Sequence, residues 1–329
     1  MKIPFEFSLR GKDWWKPFIP YWIVYVAYIA ITKSKGFTGM STSDTGGYIV
    51  VLLAASLVYI AVAAVFTIIF LRIFLPKFRA GNKGVEFRGE IGRFLGKVIL
   101  GLLLSIITVG FYLPWFIRNM AAYLASQTRF GGEEPKFLGK PGKLLVYNLL
   151  ALLLPMLIIL GLIVFVVMAG GVYRDGSARN LLLVTIVTFL AVMIILIPYF
   201  YLVYRWYANF SCSNVSLYWK TEFWPSCFFI LGQLCLTVVT IGVYWPAATL
   251  RLYAYFAERT VLERDGAELG RIAFEGRLGK GFGLFWGQSL LCLVTLGFYI
   301  PWGGARMLSW TLENSSYVEN AEAPTSGGA

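Results

Sequence analysis

Long apolar stretches are the feature that most constrains this chain. Seven of them approach the length needed to cross a hydrocarbon layer roughly 30 Å thick. They lie near residues 14–31, 48–75, 98–117, 144–172, 181–203, 223–245 and 282–302. A water-soluble core cannot hide so much apolar surface, because 58% of the residues are apolar and only 14% are charged. We therefore expect an all-α polytopic membrane protein with about seven hydrophobic segments.

The charge of the chain indicates which partners to expect. Its formal net charge is +12, and almost all Lys and Arg residues lie in loops or at the ends of the apolar stretches. Basic loops favour the cytoplasmic side. Each Lys or Arg contributes about 1 kcal/mol to binding when it lies near anionic headgroups there. The expected partners are membrane lipids with anionic headgroups, and an unidentified membrane protein remains open as a second partner. We expect no nucleic acid and no cofactor.

One motif, T-x-G-x-Y-x-P, occurs three times without a gap. Its residues are Thr108, Gly110, Tyr112 and Pro114, then Thr240, Gly242, Tyr244 and Pro246, then Thr295, Gly297, Tyr299 and Pro301. An arginine follows each proline by four or five residues, at Arg118, Arg251 and Arg306. Gln233 and Gln288 precede the second and third threonines by seven residues, where the first copy has Gly101. All of these except Gly101 are candidate contacts for a ligand or a lipid.

A second recurring element is a short alternating run that ends in a glycine or basic turn. The runs centre on Phe7, Phe87, Phe137, Leu217 and Phe274. Such period-two runs predict small β-ribbons at the membrane surface. Phe7 and Phe87 are 80 residues apart, as are Phe137 and Leu217. This spacing predicts two related membrane repeats at 1–130 and 131–266, a partial third repeat at 267–312 and a disordered tail at 313–329.

These units carry a family resemblance. The three T-x-G-x-Y-x-P-[WA] copies, each with a downstream arginine and two of them followed by an F-x-G ribbon, resemble the YjgN-like family of bacterial inner-membrane proteins. The resemblance covers nearly the whole chain and implies a multi-pass protein of the bacterial inner (cytoplasmic) membrane. Ala247, where the other copies have Trp, and the irregular ribbon at Leu217 depart from the pattern. The family has no known function, so the resemblance implies neither a substrate nor functional residues.

The motif has two physical interpretations. Proline removes a backbone hydrogen bond, so a helix break or end is predicted within a few residues of each motif proline. Broken helices at equivalent positions of repeated halves are typical of a transporter's binding site. Tyr, Trp and Pro also end membrane spans at the interface, with an arginine among the headgroups. The sequence leaves open a transporter, channel or lipid-handling protein and, alternatively, a structural or accessory subunit that scaffolds a partner.

Catalytic chemistry is not expected from this sequence. The chain has no histidine, which removes the commonest general base and the usual zinc ligand. The four aspartates lie outside the apolar stretches, and no two cysteines form a C-x-x-C pair. We therefore expect no catalytic site and no metal site.

Two topologies remain open. If all five ribbons lie on the cytoplasmic side, the helices around each motif proline form hairpins. The basic residues that then face outside are Lys33, Lys35, Arg174 and Arg179. If every segment crosses fully, ten basic residues face outside instead. The positive-inside rule favours the hairpins.

Overall fold

The computed structural model describes residues 2–33, 42–168 and 178–320. Within these ranges the helices are α1 (Gly11–Lys33), α2 (Thr42–Phe74), α3 (Ile91–Ile107), α4 (Leu113–Ser126), α5, α6 (Ala178–Tyr207), α7 (Phe223–Val239), α8 (Trp245–Glu258), α9 (Leu278–Val294) and α10 (Ile300–Glu313). Helix α5 joins Pro141–Val146, the π-helical segment Tyr147–Leu153 and Leu154–Met168. A short 3-10 turn, Leu75–Lys77, follows α2.

The strands of the described residues are short. They are β1 (Lys2–Phe7), β2 (Phe78–Ala80), β3 (Lys83–Phe87), β4 (Thr128–Phe130), β5 (Lys136–Phe137), β6 (Phe210–Cys212), β7 (Val215–Trp219), β8 (Thr260–Arg264), β9 (Ala267–Phe274) and β10 (Ser315–Glu319). Together with the helices they follow one another as five β-α-α-β units. In each unit a strand leads into a helix, a second helix returns, and the last strand pairs with the first.

Three of the five units have the same length. The pairs of residues at their strand ends are Phe87 with Thr128, Trp219 with Thr260, and Phe274 with Ser315. Each pair spans 41 residues. The first and third units carry longer helices, so their paired strand ends lie 71 and 73 residues apart. An origin of these units by internal duplication stays a prediction, as does the division of the chain at 130 and 266.

All ten strands form one antiparallel sheet, a curled half-barrel with the order β4-β3-β2-β1-β10-β9-β8-β7-β6-β5. Its two edge strands, β4 and β5, are neighbours along the chain, connected by residues 131–135. The helices keep the same order. Each packs against the next helix of the chain, and α1 packs against α10. The five helical hairpins therefore form a closed ring above the sheet.

The expected fold class is wrong. The protein is not all-α, and the described residues contain three helices long and apolar enough to cross a membrane, not about seven. These are Ile49–Lys77, Pro141–Phe165 and Val184–Tyr207. The error has a physical cause, because the stretches at 98–117, 223–245 and 282–302 each run through a motif turn. Hydropathy alone joins the end of one helix to the start of the next.

The β-ribbons and the tail also need correction. The runs at Phe7, Phe87, Phe137, Leu217 and Phe274 lie in strands, but these strands pair between units as well as within them and so form one sheet. Residues 315–319 were expected to be disordered. They form β10, which lies between β1 and β9 in the middle of the sheet. The remainder of the predicted tail from residue 321 lies outside the described residues.

A close contact between a phenylalanine ring and a glycine explains the F-x-G sequence at the start of three hairpins. A Cβ atom added to Gly89, Gly139 or Gly276 would lie within 2.4 Å of the ring of the phenylalanine two residues earlier. The glycine is therefore needed for space. In the fourth unit the corresponding residues are Trp219 and Thr221, since Trp219, like Phe87, precedes its motif threonine by 21 residues. The alignment on Leu217 was wrong by two positions.

We predict that Gly139→Ala destabilises the protein by about 1–3 kcal/mol, because the new methyl group overpacks the site. It would lie 2.3 Å from the Phe137 ring and 2.8 Å from Trp206, and both aromatic side chains are buried. Gly142→Ala is the matched control, since nothing lies within 4 Å of a Cβ there. Denaturant unfolding of the purified proteins in detergent measures both changes. Equal stability of the two variants would contradict the steric explanation.

Candidate functional site: three hairpin turns and a groove

The three motif copies form the turns of the α3–α4, α7–α8 and α9–α10 hairpins. Each threonine ends its first helix, and each tyrosine precedes the second. The predicted helix break at every motif proline is therefore confirmed. The residue after each threonine has positive φ, near 50°, at Val109, Ile241 and Leu296. The motif glycine follows with φ between 83° and 89°, a conformation that glycine adopts without steric cost.

The threonine hydroxyl closes each turn. In the second hairpin Thr240 Oγ1 donates to the Leu236 carbonyl at 2.7 Å and accepts from the Tyr244 backbone N–H at 3.0 Å. The other two copies make the same pair of bonds. The Gly242 N–H donates to the Thr237 carbonyl at 2.7 Å, which is the pattern of a helix ending in a left-handed residue. Every backbone N–H group from Thr240 to Trp245 thus has an acceptor within the hairpin.

Two of the three hairpins are bridged by a side-chain hydrogen bond. The Tyr244 hydroxyl donates to Gln233 Oε1 at 2.9 Å, and the Tyr299 hydroxyl donates to Gln288 Oε1 at 3.3 Å. Both glutamines are buried. In the first hairpin Tyr112 has no glutamine partner, and its hydroxyl instead accepts from Asn119 Nδ2 at 3.4 Å. Each glutamine therefore links the two helices of its own hairpin, and none of these three hydrogen bonds needs a ligand.

The tips of the three hairpins are apolar and exposed. The exposed fractions of Val109, Ile241 and Leu296 are 95%, 93% and 83%. The residue after each motif glycine is also an exposed apolar one, at Phe111, Val243 and Phe298. A β-branched residue at positive φ is strained in the backbone. In a water-facing turn, Gly or Asn at this position would relieve the strain and expose less apolar surface.

The three motif arginines lie near the middle of the second helix of each hairpin. The described residues contain no ion pair between a carboxylate and any of Arg118, Arg251 or Arg306. Arg118 reaches Asn119 Oδ1 at a long 3.4 Å, and the Arg251 guanidinium lies 5.7 Å from the centre of the Tyr244 ring. Three cations thus lie midway along the short hairpins without a carboxylate partner among the described residues.

Acidic side chains are concentrated at the other end of the hairpins. Every carboxylate side chain that the structure describes belongs to a strand, to a connection that begins or ends at a strand, or to the helical turn next to such a connection. There they form ion pairs such as Lys2–Glu275 at 2.6 Å and Arg129–Glu134 at 2.7 Å. The Tyr218 hydroxyl in the sheet donates to the Glu263 carboxylate. This hydrogen bond, assisted by burial, raises the pKa of Tyr218 to about 12.

A groove runs along the first short hairpin, between α3 and α4. Its volume is about 450 Å³, and it extends from Tyr112 at the turn to Ser126 near the sheet. Lys97 and Arg118 line it together with apolar side chains such as Phe116. The Lys97 ammonium lies 5.5 Å from the centre of the Tyr123 ring, which is a cation–π distance.

A second cavity of about 450 Å³ lies where the edges of the sheet approach each other. It is lined by Leu71 and Leu75 from the end of the first hairpin, by one face of α4, and by Tyr207 and Phe210 at the end of the third hairpin. Its lining is almost entirely apolar. Near this seam the Cys212 thiol donates to Glu133 at 3.5 Å. Hydrogen bonds from Ser213 and Cys212 lower the pKa of Glu133.

The structure does not bring the predicted site residues together in one place. They occupy three separate hairpins, where Thr, Gly, Tyr, Pro and Gln build the turns. Sequence reasoning missed Lys97 and Tyr123, which line the groove with Arg118. Comparing equivalent positions of the three copies would have found Lys97, because the other copies have Phe229 and Leu284 there. No group of three or more metal-ligating side chains occurs in the described ranges.

These features define a class of protein: a ring of helical hairpins on a shared antiparallel sheet, with three helices whose length and apolar character are compatible with a membrane location. The chain belongs to a bacterial protein family of unknown function, DUF898, whose model matches residues 83–268. The predicted membership in the YjgN-like family is thereby confirmed. No curated protein and no solved structure matches the chain significantly.

We predict that Thr240→Val destabilises the protein by about 1–2 kcal/mol, because the turn loses a cap and leaves the Tyr244 N–H without its acceptor. Thr249→Val is the control. Its hydroxyl is exposed and donates only to the carbonyl four residues earlier, so we expect a change below about 0.5 kcal/mol. Thermal unfolding in detergent compares the two variants, and an unchanged midpoint for Thr240→Val would show that the hydroxyl does not hold the turn.

Proposed function

We propose that the protein is a multi-pass protein of the bacterial inner membrane that handles phospholipids, and that it is not an enzyme. Its accessible surface is 20112 Å², whereas a compact soluble protein of this mass exposes about 13,600 Å². Much of the excess is apolar, including the three hairpin tips. A hydrocarbon environment accounts for this surface, since exposed apolar patches of such extent are rare in water-soluble monomers.

The distribution of basic residues supports a sheet on the cytoplasmic side. Most Lys and Arg side chains lie in the strands or within two helical turns of them. Cytoplasmic segments of membrane proteins carry such an excess of positive charge. The short hairpins then enter the membrane from the cytoplasmic side and return to it, which agrees with the pairing of β3 with β4, β7 with β8 and β9 with β10.

In this orientation the arginines of the short hairpins would lie inside the hydrocarbon layer. Helices of 17 and 14 residues are about 25 and 21 Å long, less than a hydrocarbon core of about 30 Å. Arg118, Arg251 and Arg306 lie seven or eight residues from the sheet end of their helices, which corresponds to about 10–12 Å of depth. A cation near the bilayer centre costs about 2.5–3.5 kcal/mol on insertion scales.

The absence of an acidic partner for these three arginines within the described residues is the observation that carries the proposal. A guanidinium binds a phosphate with two parallel hydrogen bonds. Lipid phosphates are the anions nearest to a hairpin that enters from the membrane surface. Drawing a phosphate inward offsets the cost of the buried cation and lets headgroups enter the hydrocarbon layer along the hairpin. A role in moving phospholipids between the two leaflets follows.

We predict that wild-type protein in liposomes accelerates the movement of a fluorescent phospholipid across the bilayer. Dithionite quenching of the outer leaflet measures the rate. Arg118→Gln, Arg251→Gln and Arg306→Gln combined should reduce it to that of protein-free liposomes, because no cation then draws the phosphates inward. The control combines Arg264→Gln, Arg271→Gln and Arg277→Gln, three exposed arginines at the sheet end, and should keep the wild-type rate. An inactive wild type would favour the scaffold alternative.

We also predict the orientation. In a variant without native cysteines, Lys140→Cys at the sheet end should resist an impermeant maleimide added to intact cells, because the proposal places the sheet in the cytoplasm. Ser177→Cys, in the connection between α5 and α6, should react and serves as the positive control. Labelling at position 140 in intact cells would show that the sheet faces the periplasm, and it would contradict the orientation proposed from the positive-inside rule.

A further inference from the structure

We infer that the groove between α3 and α4 is a binding site for one anionic phospholipid, with its headgroup beside Lys97 and Arg118. The inference deepens the proposed function and rests on it for the location of the hairpin in a membrane. It comes from comparing the three short hairpins, which have equal length and the same turn. A residue that differs in the first hairpin but not in the other two at an equivalent position therefore marks a feature specific to the first hairpin.

The first difference is an exchange of side-chain size. Gly101 occupies the position of Gln233 and Gln288, seven residues before the motif threonine. Across from it, Phe116 occupies the position of Ala248 and Gly303, two residues after the motif proline. The Phe116 ring packs directly against Gly101, where an added Cβ would lie within 2 Å of it. The larger side chain of the pair is therefore on the second helix of the first hairpin and on the first helix of the other two. The hydrogen bond from the turn tyrosine to a glutamine is absent from the first hairpin.

The second difference is the introduction of a cation. Lys97 occupies the position of Phe229 in the second hairpin and of Leu284 in the third. In the second hairpin Phe229 stacks on Tyr255 with a centroid distance of 4.4 Å. In the first hairpin the equivalent tyrosine is Tyr123, and the Lys97 ammonium lies over it instead. A stacked aromatic pair that fills this place in the second hairpin is thus replaced by a charged, exposed side chain.

The third difference is the position of the arginine. Arg118 follows its proline by four residues, whereas Arg251 and Arg306 follow theirs by five. Asn119 therefore takes the place of the arginine, and Arg118 and Asn119 both line the groove. Two positive charges, an amide and two tyrosines then share a groove of about 450 Å³ with Leu100, Phe116 and Met120. The lining is polar and apolar in similar measure.

This combination fits a molecule with an anionic head and an apolar chain. A phosphate can accept hydrogen bonds from the Arg118 guanidinium, and the second cation, Lys97, favours a headgroup with net negative charge. A zwitterionic headgroup would bring its own ammonium group close to Lys97, which is unfavourable. Leu100 and Met120 offer apolar contact to an acyl chain. Since the groove extends from the turn to the sheet end, a lipid can enter it from the cytoplasmic surface.

Native mass spectrometry of the full chain, purified from membranes and supplied with equal amounts of phosphatidylglycerol and phosphatidylcholine, tests this site. We expect one retained phosphatidylglycerol per protein. Lys97→Gln with Arg118→Gln should weaken its binding by about tenfold or more, the loss expected for charge-assisted hydrogen bonds. Both side chains are at least partly exposed, so this variant should fold. Arg271→Gln with Arg277→Gln removes the same charge at the sheet and should leave retention unchanged.

A second variant changes the shape of the groove and keeps the charges, because Gly101 and Phe116 both line it. Gly101→Gln with Phe116→Ala gives the first hairpin the side chains of the second, and its unfolding temperature verifies that it folds. It should also lose the lipid. Unchanged retention in the Lys97 and Arg118 variant, or equal retention of phosphatidylcholine by the wild type, would overturn the site.

A soluble phosphate compound distinguishes a lipid headgroup from a free phosphate as the ligand. In phosphatidylcholine nanodiscs, added glycerol 3-phosphate should not raise the unfolding temperature, whereas phosphatidylglycerol in the disc should. Equal stabilisation by glycerol 3-phosphate would overturn the lipid as the ligand. Retained phosphatidylglycerol in a protein that moves no lipid across bilayers would contradict the proposed function and leave the groove site standing. Lipid movement with retention unaffected by the Lys97 and Arg118 changes would contradict the groove site alone.

Discussion

The threonine-closed turn is the interaction on which the architecture of the short hairpins depends. Two helix ends that meet at a tip leave several backbone groups without intrahelical partners. In the second hairpin Thr240 accepts from the Tyr244 N–H and donates to the Leu236 carbonyl, while Gly242 closes the backbone ring behind it. Because the N–H groups of the turn are paired within the hairpin, its outermost side chain, Ile241, makes none of these hydrogen bonds and is apolar.

A closed turn also determines what happens at the opposite end. Both helices of a hairpin return to the same side, so the strands before and after them meet and pair. Five such pairs pack side by side and form one sheet. The ring of helices closes through the contacts of α4 with α5 and of α1 with α10. The sheet remains open between β4 and β5, and the apolar cavity lies at this seam.

The three short hairpins share a backbone and differ in what fills them. In the second and third, a buried glutamine bonds to the turn tyrosine and large side chains occupy the space beside it. In the first, the Phe116 ring packs against Gly101, and Lys97 and Arg118 line a charged groove. The acidic side chains of the described residues are confined to the sheet end, so the arginines in the middle of the second helices have no carboxylate partner there. Their guanidinium groups are therefore available to an anion that another molecule supplies.

The sequence by itself determined the local features: the strands near Phe7, Phe87 and Phe274, the helix break at each motif proline, and the family. Each is encoded within about ten consecutive residues by alternation, by proline and glycine, or by a repeated motif. The positive-inside rule favours hairpins and leaves full crossing open; the tertiary structure decided for the hairpins, and it alone showed that the strands form one sheet. Hydropathy carries no information about helix direction, and pairs such as Ile3 with Tyr317 join the two ends of the chain. The groove could not be predicted from the sequence for the same reason, because Gly101 and Phe116 come into contact only in the folded hairpin.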